Sequence, residues 1–390
     1  MNFISTVRHD LASGVLSLRV LHSSSLRELP LRYVASEGLA WLLAPAEPSP
    51  AWASVLMKAH PSLYWRIDGK HYLGVARTIS DLRELASVRR RFEAAFGEAT
   101  IRRWYGSNLH GFVLEPLTTD RIDYAILVER YFDALSEGYD RVVQENPFDS
   151  RLRELTGVIL SSAFKSGELV LEIGAGTGLE TLPLARRGIH VIATDISQSM
   201  LEKLSKKARD EGLDGLVTTR RLRAADLSSI LKEFGPASFD GAFSDFGALN
   251  CEPVLGGIPA VIAQLLRERG RVVLAVWNRV CLFEIIAYLV TARPRRAFSR
   301  FLDPVPVGSS RFGVPVFAQS VSKFVRAFSP YFRIERTLGL PVFLPPYDLA
   351  SRAARYHGLT SILESVDKRL AGHAPFSRLG DHFVMELSKK

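Results

Sequence analysis

Cysteine is scarce in this chain: Cys251 and Cys281 are the only two among 390 residues. They fall in no metal-binding spacing, so neither a zinc module nor a disulfide scaffold organises the fold, and no metal is expected. Long apolar runs are also missing. The most hydrophobic stretch, 272–292, is interrupted by Asn278, Arg279 and Glu284. That suits a buried strand followed by an apolar helix better than a membrane span. The first residues, MNFISTVRHD, are charged early and lack an apolar signal core, so a cytoplasmic protein is expected. Acidic excess is absent, the net charge being +9. Such a charge allows an acidic partner or peripheral contact with an anionic membrane, and identifies neither. The basic clusters Arg89–Arg91, Arg220/Arg221/Arg223 and Arg293/Arg295/Arg296 read as solvated faces. No nucleic-acid module accompanies them, so no nucleic-acid partner is expected.

What the chain does contain is concentrated in Leu169–Asp195, LVLEIGAGTGLETLPLARRGIHVIATD. Leu169–Ile173 has the apolar run of a buried parallel strand. Gly174, Gly176 and Gly178 follow at spacing two, then helical apolar spacing from Leu179 to Arg187. Gly188 ends that helix, and Ile189–Thr194 is a second strand with Asp195 at its carboxyl end. Such a unit opens a doubly wound α/β domain, where ligands bind beyond the carboxyl ends of the strands. A dinucleotide fingerprint would have its third glycine one residue later, where Leu179 stands. Glu172, just before the turn, is awkward for a pyrophosphate and suits a ligand carrying an ammonium and a sulfonium. Asp195 is placed to accept from ribose hydroxyls. The rival view, glycines that merely serve a tight turn, leaves the agreement of strand, helix and acid unexplained.

At Glu172, Gly174, Gly176 and Gly178 the stretch resembles the class I S-adenosylmethionine (SAM) methyltransferases, and the resemblance extends from about Arg130 to the C-terminus. It implies a SAM site with Ala175 and Thr177 inside the turn. Tyr139, ending a helix Tyr124–Tyr139, would cover the carboxylate end of SAM, a surface tyrosine being the alternative. Ile196 and Met200 would pack near the adenosine, although Met200 reads equally well as core. A third strand, Arg221–Ala225, would bring Asp226 to the adenine amine between Ala225 and Leu227; a turn-capping Asp is the alternative. After a fourth strand, Phe239–Ser244, the residues Ser244, Asp245 and Phe246 would flank the methionine part, with Asn250 and Cys251 at the rim facing substrate. A helix Val261–Leu266, a fifth strand Arg271–Trp277 and an antiparallel pair, Phe332–Leu340 and His382–Leu387, would complete the sheet. The segment from Cys281 to about Ser320 would cover the active site. Its phenylalanines and interleaved Arg293, Arg295, Arg296 and Arg300 suit a large apolar acceptor with an acidic group, or simply core packing. Methyl transfer requires alignment and exclusion of water more than a catalytic triad, so no catalytic residue is assigned. Tyr347 and His357 are candidate bases for an acceptor that must lose a proton, with a structural histidine as the alternative.

Residues 1–118 stand apart. Short β-like runs at Gly14–Val20, Leu29–Ala35, Leu39–Ala44, Ser62–Ile67, Lys70–Thr78 and Phe112–Leu117 are interleaved with helices at Trp52–Ala59 and about Ile79–Phe96, the second capped by Ser80. Such short strands suggest a small barrel. The Asp68-Gly69 turn and the His60-Pro61 helix end lie within PAWASVLMKAHPSLYWRIDGKHYLGVARTIS. With PLRYVASEGLAWLLAP before it and GFVLEPL after it, this order resembles the split-barrel flavin and deazaflavin oxidoreductases. The family's phosphate loop usually has a glycine; here it reads LHSSSLRELP, leaving Ser23–Ser25 and Arg27. A docking or dimerisation barrel is therefore preferred to one that binds FMN or a deazaflavin.

The expected architecture is a split β-barrel (1–118), a linker and entry helix (119–145) and a Rossmann-like doubly wound methyltransferase domain (146–390), mostly parallel with an antiparallel last strand. The expected activity is SAM-dependent methylation of a small or lipid-like molecule, with a homodimer through the barrel left open. A bifunctional reductase–methyltransferase and a non-catalytic SAM-binding assembly protein are the alternatives.

Overall fold

The computed structural model describes residues 12–20, 28–36, 39–58, 62–67, 70–116, 121–305, 310, 312–345 and 357–390. The chain divides into two compact units, Met1–Glu137 and Gly138–Lys390.

In the first unit, β1 (Ala12–Val20), β2 (Glu28–Ser36), β3 (Leu39–Pro45), β4 (Ser62–Ile67), β5 (Lys70–Thr78) and β6 (Leu109–Pro116) close into an antiparallel barrel in the order β1-β2-β3-β6-β5-β4. Helices α1 (Ala51–Lys58), α2 (Leu82–Phe96), α3 (Glu98–Tyr105) and α4 (Arg121–Leu135) accompany it. Strand β3 shows why its sequence reads as one apolar run. Ala40, Leu42 and Ala44 point into the barrel with Leu16, Trp65 and Phe112. Trp41 and Leu43 point out, under Val88 and Phe92 of α2 and Ile101 of α3. Both faces of a period-two strand are thus buried. Asp81, not Ser80, caps α2, its carboxylate accepting from the Arg83 amide at 2.7 Å. Helix α3 was not expected: Gly97, at φ +86°, breaks what would otherwise be one long helix. The Ser23–Ser25 and Arg27 loop, His60-Pro61, the Asp68-Gly69 turn and residues 117–120, where the expected linker begins, lie outside the described residues.

The second unit begins with α5 (Tyr139–Glu145) and α6 (Pro147–Ala163) and continues through β7 (Leu169–Ile173), α7 (Thr181–Ala185), β8 (His190–Asp195), α8 (Gln198–Asp210) and β9 (Val217–Arg221). Then come α9 (Ser228–Phe234), β10 (Phe239–Ser244), α10 (Ile258–Leu265), β11 (Leu266–Trp277), α11 (Leu282–Val290), α12 (Pro294–Ala297), α13 (Val321–Phe328), β12 (Phe332–Leu340), α14 (His357–Leu370) and β13 (His382–Lys389). The sheet order is β12-β13-β11-β10-β7-β8-β9, with β13 antiparallel to both neighbours and the other paired strands parallel. This is a Rossmann-like, mostly parallel sheet. Alternate residues feed two cores. Val170, Val191, Phe243 and Val384 pack under α6 and α8, and Leu171, Ile192, Val272 and Phe383 pack under α9, α10 and α13. The chain runs from β7 outward to β8 and later returns to β7's other side with β10, so a crevice opens beyond their carboxyl ends. Among the described residues no helix is long and apolar enough to cross a membrane.

Three boundaries differ from expectation. The entry helix stops at Leu135, and Tyr139 opens the next helix instead of closing the first. The third strand is Val217–Arg221, because its ladder to β8 ends at the Asp195–Arg221 pair; Ala224–Asp226 is a 3-10 turn. The fifth strand starts at Leu266, and Glu268-Arg269-Gly270 form a bulge in it, with Arg269 at φ +60°.

Gly241 in β10 lies under the Phe164 ring, where a Cβ would collide with ring atoms and with the Arg271 carbonyl oxygen at 3.0 Å. Gly241→Ala should destabilise the second unit by about 1–3 kcal/mol through overpacking, read as a lower urea midpoint. Restoration of the midpoint by adding Phe164→Leu would confirm the steric origin.

Candidate functional site

At the end of β7 the chain turns through three glycines whose requirements differ. The amides of Gly174 and Ala175 both donate to the Thr194 carbonyl, at 2.7 and 2.9 Å, which pins the turn to β8. Gly174, Gly176 and Gly178 all have positive φ, at 83°, 53° and 86°, a region closed to most side chains. A Cβ on Gly174 would strike Ala248, and one on Gly178 would strike Leu204. On Gly176 the nearest atom would be Tyr139 Cε1, 3.9 Å away. The outer glycines are therefore needed for packing, while the middle one lines an open cradle.

The acid at the end of β8 holds that middle glycine. Asp195 Oδ2 accepts from the Gly176 amide at 2.9 Å, and Oδ1 accepts from the Ser197 amide at 2.8 Å. Ser197 in turn caps α8 by accepting from the Met200 amide at 3.2 Å. Met200 is buried and Ile196 half-buried. The start of α5 clamps the other side. The Tyr139 phenol accepts from Arg153 at 3.2 Å. Asp140 accepts from the Thr177 hydroxyl at 2.5 Å and pairs with Lys207, whose ammonium also donates to the Thr177 carbonyl at 3.0 Å.

Acidic groups crowd the cradle. Glu172, expected to face a ligand, is buried and accepts from the Thr181 hydroxyl. Burial raises its carboxyl well above the ordinary range, and the charges of Glu180, Asp245 and Asp195 act in the same direction. Asp245 is buried with neither oxygen in a hydrogen bond of ordinary geometry. The Thr156 hydroxyl near it is turned to the Arg153 carbonyl, at 3.3 Å. Burial, with the Glu180 charge, lifts the Asp245 carboxyl well above its usual value against the opposing pull of Arg153. Among the described residues Arg153 is the cation of this group: it pairs with Glu180 and lies 4.5 Å over the Phe246 ring. Phe246 itself sits at φ +53°, unusual for a bulky residue and a sign of a constrained site. Arg153, Glu180 and Lys207 were missed in the sequence, since their distance along the chain hides their proximity.

Several expected contacts go elsewhere. The Ser244 hydroxyl donates to the Ile173 carbonyl at 2.8 Å, tying β10 to β7. Asn250 does not face a rim. It is fully buried, donates to the Trp277 and Phe317 carbonyls at 2.9 and 2.8 Å, and accepts from the Trp277 amide at 2.9 Å. Burial pushes the Cys251 thiol up, which makes it a poor nucleophile. The Ala225 amide donates to Glu252 at 3.3 Å, and Glu252 is paired with Arg223. Ala225 and Asp226 are exposed on their turn, and Leu227 packs into the core. Tyr347 lies outside the described residues; His357 begins α14, and its side chain is not described.

A second buried network closes the end of β11. Arg300 pairs with Glu284 and Asp381, donates to the Asn278 carbonyl at 3.0 Å, and lies 4.3 Å over Trp277. Burial alone would raise the Asp381 carboxyl, but Arg300 and His382 hold it far below the ordinary range. Cys281, Glu284 and Asp381 bring three potential metal-ligand atoms together within 4.8 Å. The Arg300 guanidinium already supplies their cation, and burial pushes the Cys281 thiol up to about 12. His382 is 2.8 Å from Asp381 through Nδ1, and its ring centre is 6.0 and 6.5 Å from those of Phe246 and Phe148. Phe148 also lines a mainly apolar cavity of about 540 Å³ between α6, β12 and α14, with Leu152, Ile159, Leu338 and Leu340.

Residues 170–270 match the sequence family described as a methyltransferase domain. The chain is 35% identical over 124 residues to a tRNA/tmRNA (uracil-C(5))-methyltransferase of Azotobacter vinelandii, covering 31% of this chain and 34% of that one. It is 29% identical over 151 residues to a demethylmenaquinone methyltransferase of Clavibacter sepedonicus, covering 39% and 58%. The chain thus spans between a third and three-fifths of these relatives' lengths. Among solved structures, the [4+2]-cyclase SpnF aligns with a TM-score of 0.44 at 16% identity, over 68% of this chain and 96% of that one. The domain match supports a SAM-dependent methyltransferase with SAM as its cofactor; the relatives' acceptors differ, and they do not select one.

The glycine geometry separates two outcomes. Gly178→Ala should lower stability by about 1–3 kcal/mol. Gly176→Val should cost less packing and instead abolish SAM binding, with calorimetry and urea unfolding as the paired readouts. Asp245 supplies a pH test. The unfolded group ionises near 3.8, while the folded one keeps its proton to higher pH. The native state therefore binds more protons, and this contribution to stability is lost as pH rises above about 4. Asp245→Asn removes that loss, so its gain in urea midpoint over the wild type should be larger at pH 8 than at pH 5.

Proposed function

We propose that the second unit transfers a methyl group from SAM to a small, largely apolar acceptor. The observation that carries this reading is the crowding of four acidic side chains around the open Gly176 cradle. Glu172 and Asp245 are buried and hold their protons above the ordinary range, Glu180 and Asp195 are half-buried, and among the described residues Arg153 is the cation paired within the group. An isolated buried carboxylate is costly unless paired, and SAM brings an ammonium and a sulfonium. When bound, SAM supplies a methyl group activated on sulfur. Asp195 would accept from the ribose hydroxyls and Asp245 from the ammonium. Arg153 would take the SAM carboxylate beside the Tyr139 and Phe246 rings, whose faces favour a cation.

The acceptor's apolar body would use the cavity that starts at Phe148. For an acceptor that must lose a proton, the described group best placed to receive it is His382, oriented by Asp381. The barrel of the first unit is filled by its own side chains, which supports a docking module over one that encloses a ligand.

Asp195→Ala removes a charge-assisted contact of roughly 1.5–3 kcal/mol and should weaken SAM binding at least about tenfold by calorimetry. Methyl-labelled SAM incubated with a cell extract should put label into the organic-soluble small-molecule fraction. Label confined to RNA would overturn the acceptor class while leaving the cofactor reading intact.

A further inference from the structure

Helix α11 is inside out. Its buried face carries Glu284 and Tyr288, whereas Ile286, Leu289 and Val290, which share the opposite face, are 46–80% exposed. The turn after α12 repeats the inversion. Ser299 and Arg300 are buried, while Phe298, Phe301 and Leu302 are about half exposed. The cause is the Arg300–Glu284–Asp381 cluster: to complete these ion pairs both segments turn their charged residues inward, which leaves their apolar residues outside. The segments adjoin through α12, and the Phe298 and Phe301 rings are 6.1 Å apart. The lobe therefore presents two neighbouring groups of three exposed large apolar side chains.

Its charge is one-sided. No Asp or Glu occurs between Ile285 and Leu302. Arg293, Arg295 and Arg296 are exposed and form no ion pair among the described residues. We propose that this lobe, 286–302, docks the protein on a phospholipid bilayer with anionic headgroups. The phenylalanine, leucine, isoleucine and valine side chains would enter the boundary between headgroups and acyl chains, with the arginines at headgroup level. A second copy fits poorly, because a two-fold contact would set three arginines against three arginines with no carboxylate between them. The proposal goes beyond the transferase reading and does not depend on it, since vesicle binding is measured without turnover.

The test is co-sedimentation of the full chain with phosphatidylcholine vesicles, alone or mixed with phosphatidylglycerol. The wild type should bind the mixed vesicles more tightly, and less so as salt rises. Val290→Ser with Phe298→Ser and Phe301→Ser should weaken partitioning about tenfold or more. Arg295→Glu with Arg296→Glu should cost about fivefold or more per residue on mixed vesicles only. Both variants should keep the wild-type urea midpoint and SAM affinity. A wild type that ignores vesicles, or variants that bind like it, would overturn the proposal. So would a wild-type dimer that the serine variant converts to monomer in light scattering, which would assign the face to self-association.

Discussion

One carbonyl oxygen holds the second unit's crevice open. Thr194 at the end of β8 accepts from both Gly174 and Ala175, so the chain leaving β7 must turn sharply across the neighbouring strand. That turn forces positive φ at three glycines and delivers the Gly176 amide to Asp195. It also sets Thr177 where Asp140 and Lys207 can clamp it. Without this pairing the acid, the cradle and the overlying Tyr139 would have no common frame.

Two buried ionic networks then divide the carboxyl end of the sheet, and they differ in whether they close. Around Arg300, two carboxylates, two backbone carbonyls and an aromatic face satisfy one guanidinium. A buried charge set of this kind is stable only when complete, and it is complete here without a ligand. Around Arg153 the acids outnumber the cation, and Asp245 makes no hydrogen bond of ordinary geometry. The first network shapes the fold and turns apolar residues outward. The second leaves two buried carboxyls, Glu172 and Asp245, held above their ordinary range by burial and by neighbouring acids.

Much of the architecture was legible along the chain because it depends on near neighbours. Alternation and apolar runs located the barrel strands and β7, β8 and β10 to within a few residues. Gly97, Leu135 and the bulge at Arg269 were not legible, since each is settled by what packs against it or pairs with it. Asn250 shows the same limit at the site. A polar residue after a strand end looks like a rim residue, yet its amide closes bonds to Trp277 and Phe317, 27 and 67 positions away.

By itself the sequence determined the strand–turn–helix–strand unit, the glycine spacing and the acid at the end of β8, because all are local to Leu169–Asp195. Only the tertiary structure decided which carboxylates are satisfied. Glu172 finds Thr181, and Glu180 finds Arg153 from α6, but Asp245 has no hydrogen bond of ordinary geometry and only a share of the Arg153 charge. Those partners are chosen by through-space packing of segments far apart in the chain, and no spacing rule encodes that choice.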